Sequence, residues 1–382
     1  MKKKFLLTTP GTFHYFDLAK ALYKKKQLTK IVTGYPLFKL KKFNLPNQYI
    51  KSFSFYQIIM RIFLKFQINP SNFFLRNINF KNFLKLDEIS SNYLDQSQIF
   101  LALSGTGLNT GIKFRKHNKI YICERASSHI SFAINILKKE YKKFGINYEV
   151  DRKIIDREIE EYKSANFILV PSRFVQKTFE QYGLYNTKII NFASNNKIFY
   201  FKKKRNFHSK NFKIIFVGAL SLRKGVHYLV EAFNQLKIKN IELHLIGSNT
   251  SDFKLIKDKF SHPNIFLYGH KTQSEINDLL NKSHLFVMPS LEEGAAISVA
   301  QAMYTGLPVI VTENTGWKEN VNKYNTGYVV RPMNSSSIQK KIRYLYNHRS
   351  KLEIFSKNSL KFSKNRNWDI YVKDLNKLIK NI

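Results

Sequence analysis

A single cysteine, Cys123, excludes an internal disulfide, so nothing in the 382 residues points to an oxidising compartment. Acids are scarce, with 26 Asp and Glu against 64 Lys and Arg, a formal net charge of +38. No apolar run approaches the roughly 18 to 20 residues that cross a bilayer. The opening Met-Lys-Lys-Lys leads only into the short run Phe5 to Leu7, so neither a membrane span nor a signal peptide is expected. There is no Asp-x-Asp and no cluster of His and Asp at ligand spacing, and no metal site is expected. With 43% hydrophobic and 24% charged residues the chain can bury a proper core, which excludes a disordered or fibrous protein. Its length exceeds the roughly 250 to 300 residues at which one core stops growing, so two domains are expected. A bacterial-type cytoplasm is the default location.

The basic excess is uneven. From Met1 to Leu86 there are 17 Lys or Arg and one acid, Asp17. A codon bias toward Lys, Asn, Ile, Phe and Tyr accounts for 51 Lys against 13 Arg but does not remove carboxylates. A polyanionic neighbour therefore shares the explanation. The stretch Phe38 to Phe66 interleaves Lys39, Lys41, Lys42, Lys51, Arg61 and Lys65 with Phe38, Phe43, Phe53, Phe55, Tyr56, Phe63 and Phe66. That mixture suits an anionic membrane surface, and equally an ordinary helix core with a solvated lysine face. Nucleic acid is the lesser alternative, because no recognisable module accompanies the charge.

Short apolar runs alternate with amphipathic segments, the pattern of βα units and a parallel sheet. The fold class is α/β. Strands are expected at Lys4 to Thr9, Ile99 to Leu103, Ile120 to Cys123, Phe167 to Val170 and Lys188 to Asn191. Helices are expected over Phe13 to Lys25, Ser131 to Phe144, Asp151 to Lys163 and from an N-cap at Ser172 to Gln181. Residues 196–211 carry Lys202-Lys203-Lys204-Arg205 without periodicity and read as a linker. A second unit then places strands at Lys213 to Val217, Ile241 to Ile246, Ile265 to Tyr268, His284 to Met288, Pro308 to Val311 and Gly327 to Val330. Its helices lie near Val226 to Leu236, Ser274 to Asn281 and Ala295 to Tyr304. Two such sheets leave a cleft between them, and ligands bind beyond the carboxyl ends of the strands.

Two loops of the second unit carry chemistry. After its first strand comes Gly218-Ala219-Leu220-Ser221-Leu222-Arg223-Lys224-Gly225, a glycine loop with two cations that can neutralise a diphosphate. After its fourth strand comes Pro289-Ser290-Leu291-Glu292-Glu293-Gly294, which leads into a helix whose positive end suits a phosphate. Gly294 admits a ligand close to the backbone, and Glu293 can accept paired sugar hydroxyls. On pattern alone the two acids equally suit a helix start that complements the dipole. Gln301 lies two helical turns further on, on broadly the same side.

The series Gly218…Arg223-Lys224-Gly225, Tyr268-Gly269-His270, Pro289-Ser290-x-x-Glu293-Gly294…Gln301-Ala302-Met303…Gly306-x-Pro308-Val309, Gly316 and Gly327 resembles family 4 retaining glycosyltransferases of the GT-B fold. Asn367-Trp368-Asp369-Ile370-Tyr371 resembles the family's closing helix. Ser104-Gly105-Thr106-Gly107-Leu108-Asn109-Thr110-Gly111, Cys123-Glu124-Arg125-Ala126-Ser127-Ser128-His129-Ile130, and Tyr162-Lys163-Ser164-Ala165-Asn166 with Val170-Pro171-Ser172 are similar to a bacterial subgroup. The resemblance implies two Rossmann-like lobes facing across a cleft. These would be an acceptor-side domain at 1–195, a linker at 196–211, a nucleotide-sugar domain at 212–365 and a helix at 366–382 packing back on the first domain.

The activity implied is retaining, metal-independent hexosyl-type transfer from a nucleotide-diphosphate sugar, without a cofactor. The acceptor would be a saccharide or a lipid-linked saccharide in cell-envelope glycan synthesis, at the inner face of the cytoplasmic membrane. Position by position, Lys224 with Arg223 would hold the diphosphate and Glu293 the donor sugar. Gly294, Ala295, Ala296 and Ile297 would line phosphate and sugar beside the Gly218 loop. Gly11 would approach the phosphates from the first lobe, Gly269 and His270 would border the base, and His129 would sit near the transferred sugar. Without the resemblance, His129 reads equally well as a helix-capping imidazole. The family's second glutamate is here Gln301, and the basic residue usual after Gly218 is here Ala219, for which Arg223 is the candidate substitute. A nucleotide-sugar epimerase of the same fold and a non-catalytic polyanion-binding relative are the alternatives.

Overall fold

The computed structural model describes residues 2–65, 73–364 and 366–380. Of the features expected above, Met1, Phe66, Asn365, residues 381–382 and the side chain of Lys65 lie outside that description. The first lobe runs β1 (Phe5–Thr9), α1 (Tyr15–Lys24), β2 (Leu28–Thr33), β3 (Ile50–Ser52), α2 (Phe55–Lys65), α3 (Phe73–Ser91), β4 (Ile99–Leu103) and α4 (Leu108–Lys116). It continues β5 (Ile120–Glu124), α5 (Ile130–Lys142), α6 (Arg152–Ser164), β6 (Phe167–Val170), α7 (Arg173–Glu180) and β7 (Thr187–Ile189). The second lobe runs β8 (Phe212–Val217), α8 (Val226–Asn234), β9 (Ile241–Ile246), β10 (Ile265–Leu267), α9 (Gln273–Lys282), β11 (Leu285–Met288) and α10 (Ile297–Tyr304). It closes with β12 (Val309–Thr312), α11 (Lys318–Tyr324), β13 (Gly327–Val330), α12 (Ser335–Asn347) and α13 (Arg349–Lys364), followed by α14 (Trp368–Lys380).

The strands form a 7-stranded sheet, β3-β2-β1-β4-β5-β6-β7, and a 6-stranded sheet, β10-β9-β8-β11-β12-β13. Every pair is parallel. Parallel strands covered on both faces bury every residue. Phe5 to Thr9, Phe167 to Val170 and Leu285 to Met288 are accordingly buried throughout. The α/β expectation of two doubly wound lobes is met. In each sheet the order reverses beside the first strand, between β1 and β4 and between β8 and β11. Such reversal points open a crevice at the carboxyl ends.

Several elements went unannounced by the sequence pattern, namely β2, β3, α2, α3, α4, α11, α12 and α13. Helix α10 begins two residues later than expected, because Gly294 to Ala296 form a turn. Segment 190–211 has no helix or strand but is stitched to α9. Arg205 donates to the carbonyls of Ser283 (2.9 Å) and Leu280 (3.0 Å), and Asn281 Oδ1 accepts from Lys202 N–H at 3.0 Å. Helix α14 returns to α1. Tyr371 donates to buried Glu124 at 3.2 Å, Glu124 also engages His14 at 2.9 Å, and Gln27 and Asn376 exchange amide hydrogen bonds at 2.9 and 3.1 Å. Among the described residues no helix is long and apolar enough to cross a membrane.

Candidate active site

The loop after β8 and the loop after β11 flank the reversal point of the second sheet, and they touch. Leu291 N–H donates to the Arg223 carbonyl at 3.0 Å. Gly225 starts α8 with φ +64, and a Cβ there would overlap the Pro289 carbonyl, so only glycine permits this approach. Lys224 Nζ consequently reaches the Glu293 carboxylate. Both side chains are largely covered, at 17% and 10% exposure, yet open enough to meet a ligand.

The turn from Ser290 to Ala296 is held from below by the strand that follows α10. Thr312 donates to the Ser290 carbonyl at 2.6 Å and Asn314 to the Leu291 carbonyl at 2.9 Å. Glu293 N–H donates to Asn314 at 2.9 Å, and Gly316 N–H returns to the Glu293 carbonyl at 3.0 Å. Buried Trp317 donates its indole N–H to the Ala296 carbonyl at 2.7 Å, fixing the residue that opens α10. Ala296 offers no side-chain cap, so the first amides of α10 are left without a capping side-chain acceptor. A fixed cation beside a helix start is the arrangement that holds an anion.

Glu292 turns the other way and is fully buried. It accepts from the Ser127 hydroxyl (2.5 Å) and Ser128 N–H (2.9 Å) of the first lobe, and from Arg223 Nε at 3.1 Å. Burial pushes the Glu292 carboxyl up, but Arg223 and the two serines outweigh it and hold it at about 2. Arg223 also donates to Ser127 at 3.0 Å and stands 4.0 Å from Glu293. Arg223 is thus ion-paired to Glu292 much as Lys224 is to Glu293, and at 35% exposure it stands at the turn together with Lys224.

Gly294 was expected to admit a ligand to the backbone. Its missing side chain instead admits the first lobe, since a Cβ would overlap the Ala126 carbonyl. Ala295 and Ala296 are buried and Ile297 half-buried at the helix start, and Gln301 is half-buried one turn further along α10. Gly218, Gly247 and Gly269 link the ends of β8, β9 and β10: Gly218 N–H donates to the Ile246 carbonyl and Gly247 N–H to that of Gly269, both at 2.9 Å. Gly269 and His270 are exposed beyond the edge strand β10. Gly11, half-buried after β1, accepts from the Thr33 hydroxyl at 3.1 Å.

His129 caps α5, its Nδ1 accepting from Ser131 N–H at 3.2 Å. The ring is buried, stacked on Tyr182 at 4.2 Å and edged by Phe179 at 5.0 Å. Burial, with Arg125 nearby, lowers its pKa to about 4, so the ring is neutral at neutral pH. This is the capping geometry, two residues from the Ser127 hydroxyl at the join. The glycine loop after β4 is filled by the protein's own acids. Glu161 accepts from Gly105 N–H and from Gly107 N–H (2.8 Å), and Asp87 accepts from Asn109 N–H (2.8 Å) and Thr110 N–H (2.9 Å). The structure thus joins Lys224, Arg223, Glu293 and the Gly294 to Ile297 turn at one place, whereas the bonds of Gly11, Gly269 and the His129 ring lie with other residues. Glu292, Ser127, Glu140, His227 and Asp252 were not singled out from sequence. The doubled acid Glu292-Glu293 was the one local signal.

Residues 198–362 match the family of glycosyl transferases group 1. The capsular polysaccharide biosynthesis glycosyltransferase CapM of Staphylococcus aureus is 30% identical over 162 residues, 41% of this chain and 42% of that protein. The chain spans 59% and 42% of the length of two curated relatives it matches. Sucrose-phosphate synthase of Thermosynechococcus elongatus superposes with TM-score 0.76 at 15% identity, covering 100% of this chain and 99% of that one. Anabaena HepE, solved in complex with UDP and glucose, gives TM-score 0.71 at 16% identity with 100% of both chains covered. The chain has the GT-B fold over its length, and its second lobe carries the sequence pattern of glycosyl transferases group 1.

Proposed function

We propose that the protein is a glycosyltransferase that moves a sugar, with retention of anomeric configuration, from a nucleoside-diphosphate sugar to a saccharide or lipid-linked saccharide in cell-envelope polysaccharide synthesis. The observation that carries this reading is the Lys224–Glu293 pair at the start of α10. Lys224 and the helix amides neutralise the departing diphosphate, while Glu293 accepts the donor sugar's hydroxyls. Catalysis is then electrostatic and positional, with the diphosphate accepting the acceptor's proton on the same face. No side chain serves as nucleophile in this scheme, and none of its steps needs a metal. CapM's part in capsular polysaccharide synthesis and the UDP and glucose bound by HepE support a polymer-directed, nucleotide-sugar-dependent reaction.

The same reading includes docking on an anionic leaflet. Phe55, Ile58 and Ile62 stand at helical spacing along α2, exposed at 59%, 43% and 50%, among the lysines of the first lobe. Transfer of labelled sugar from a panel of nucleotide sugars to membrane extracts tests the activity. Sedimentation with anionic against neutral vesicles tests the docking, and equal recovery at low salt removes it.

A further inference from the structure

The polar bonds between the lobes concentrate on one helix. At the amino end of α5, Ser127 and Ser128 bond to Glu292, and the Ala126 carbonyl sits against Gly294. At its carboxyl end, buried Glu140 lies 2.9 Å from His227 Nε2 and accepts from the Tyr228 hydroxyl at 2.8 Å, both on the first turn of α8. Lys143 completes this group, donating to Glu140 at 2.8 Å and to the Tyr228 oxygen at 2.9 Å. Tyr141 donates to Asp252 at 2.9 Å, and the same Asp252 oxygen accepts Leu222 N–H at 2.8 Å.

The points of attachment bracket the two loops of the candidate site. Leu222 precedes Arg223 and Lys224, His227 and Tyr228 follow Gly225, and Glu292 precedes Glu293. We propose that α5 is a clasp that sets the two lobes against each other through these loops, with Glu292 and Glu140 as positioning residues. Naming the loops donor loops rests on the function proposed above; the clasp itself does not. Three buried carboxylates, Glu140, Asp252 and Glu292, take partners from across the gap. Removing one of these acids leaves its partners across the gap unpaired, so the attachment weakens at that point. The clasp thereby fixes Lys224 and Glu293 relative to the first lobe.

Spin labels on Lys116→Cys and Lys282→Cys, exposed positions on opposite lobes, report the lobe separation, since Cys123 is buried and unreactive. In the full, ligand-free chain we expect one narrow, short distance distribution. The Glu140→Ala/Glu292→Ala variant shifts it to longer, broader distances and lowers transfer at saturating donor on the order of tenfold. Ser127→Ala lengthens the distance in part, and Ser127→Thr, which keeps the hydroxyl, restores the short one. Should the double variant melt without cooperativity, Ser127→Ala combined with Tyr141→Phe replaces it. An unchanged narrow distribution in a folded double variant overturns the clasp. Failure of UDP, GDP and ADP to bind the parent protein would instead refute the donor reading and leave the distance result standing.

Discussion

Lys224 and Glu293, 69 residues apart in the chain, form an ion pair between the two loops that flank the reversal point of the second sheet. The pair keeps both charges compensated while the pocket is without ligand. In the reaction proposed above, an arriving diphosphate would take over Lys224 and release the Glu293 carboxylate to the sugar hydroxyls. One interaction thereby links the two halves of donor recognition.

The exchange has a consequence for Glu293→Gln. Removing the carboxylate leaves Lys224 without its partner, so a nucleoside diphosphate lacking the sugar should bind as tightly as before or severalfold tighter. Transfer should fall by roughly 100-fold, because the sugar loses a charged acceptor. Calorimetry with UDP beside a transfer assay checks both. Full transfer activity would remove Glu293 from the mechanism.

Gly294→Ala should damage the meeting of the lobes more than the second lobe itself. The added methyl overlaps the Ala126 carbonyl, and shifting a first-lobe backbone atom forces the clasp apart. Expected are a longer lobe separation and at least tenfold lower transfer, with near-native circular dichroism. A variant with native separation would contradict this placement.

At Gln301 the family that the sequence resembles has glutamate. Charged hydrogen bonds to ribose hydroxyls are about twice as strong as neutral ones, so Gln301→Glu should tighten nucleotide binding by about tenfold. Binding to the nucleoside diphosphate, measured by titration, decides it. Unchanged affinity would mean that the half-buried side chain does not meet the ribose.

His129 predicts an acid-side loss of stability. Its pKa is lowered from 6.5 in the unfolded chain to about 4 in the fold by burial and Arg125. Between these values the unfolded chain binds the extra proton, so stability is complete above about 6.5 and falls as pH drops toward 4. His284, lowered to about 4 by burial, adds to the same slope. His129→Asn retains a capping oxygen without a titrating ring and should flatten the decline in melting temperature from pH 7 to 4. An unaltered slope would count against a neutral, buried His129.

The legible and illegible parts of this molecule differ physically. Strands β4, β6 and β11 lie where apolar runs end at turn residues, because parallel strands buried on both faces admit little else. Strand β2 carries Lys30 in its middle, and α3 spreads Phe and Asn around its circumference, so neither has a clean period. Lys224 and Glu293 could be read because strand, glycine loop and helix start are local. The bonds of Glu292 to Ser127 and of Glu140 to His227 join residues 165 and 87 positions apart, and no local pattern announces them. Arg223 could be read as a loop cation, but not its bond to Glu292, the acid one residue before Glu293 that faces the other lobe.

The most direct test of the central claim is binding of nucleoside diphosphates, by thermal shift and titration, to the parent protein and to Lys224→Ala. The account predicts that one of UDP, GDP or ADP stabilises the parent, by about 2.7 kcal/mol at 100 times its dissociation constant, and that Lys224→Ala removes most of that effect. Equal stabilisation of both proteins, or none of the parent by any of the three, would contradict it.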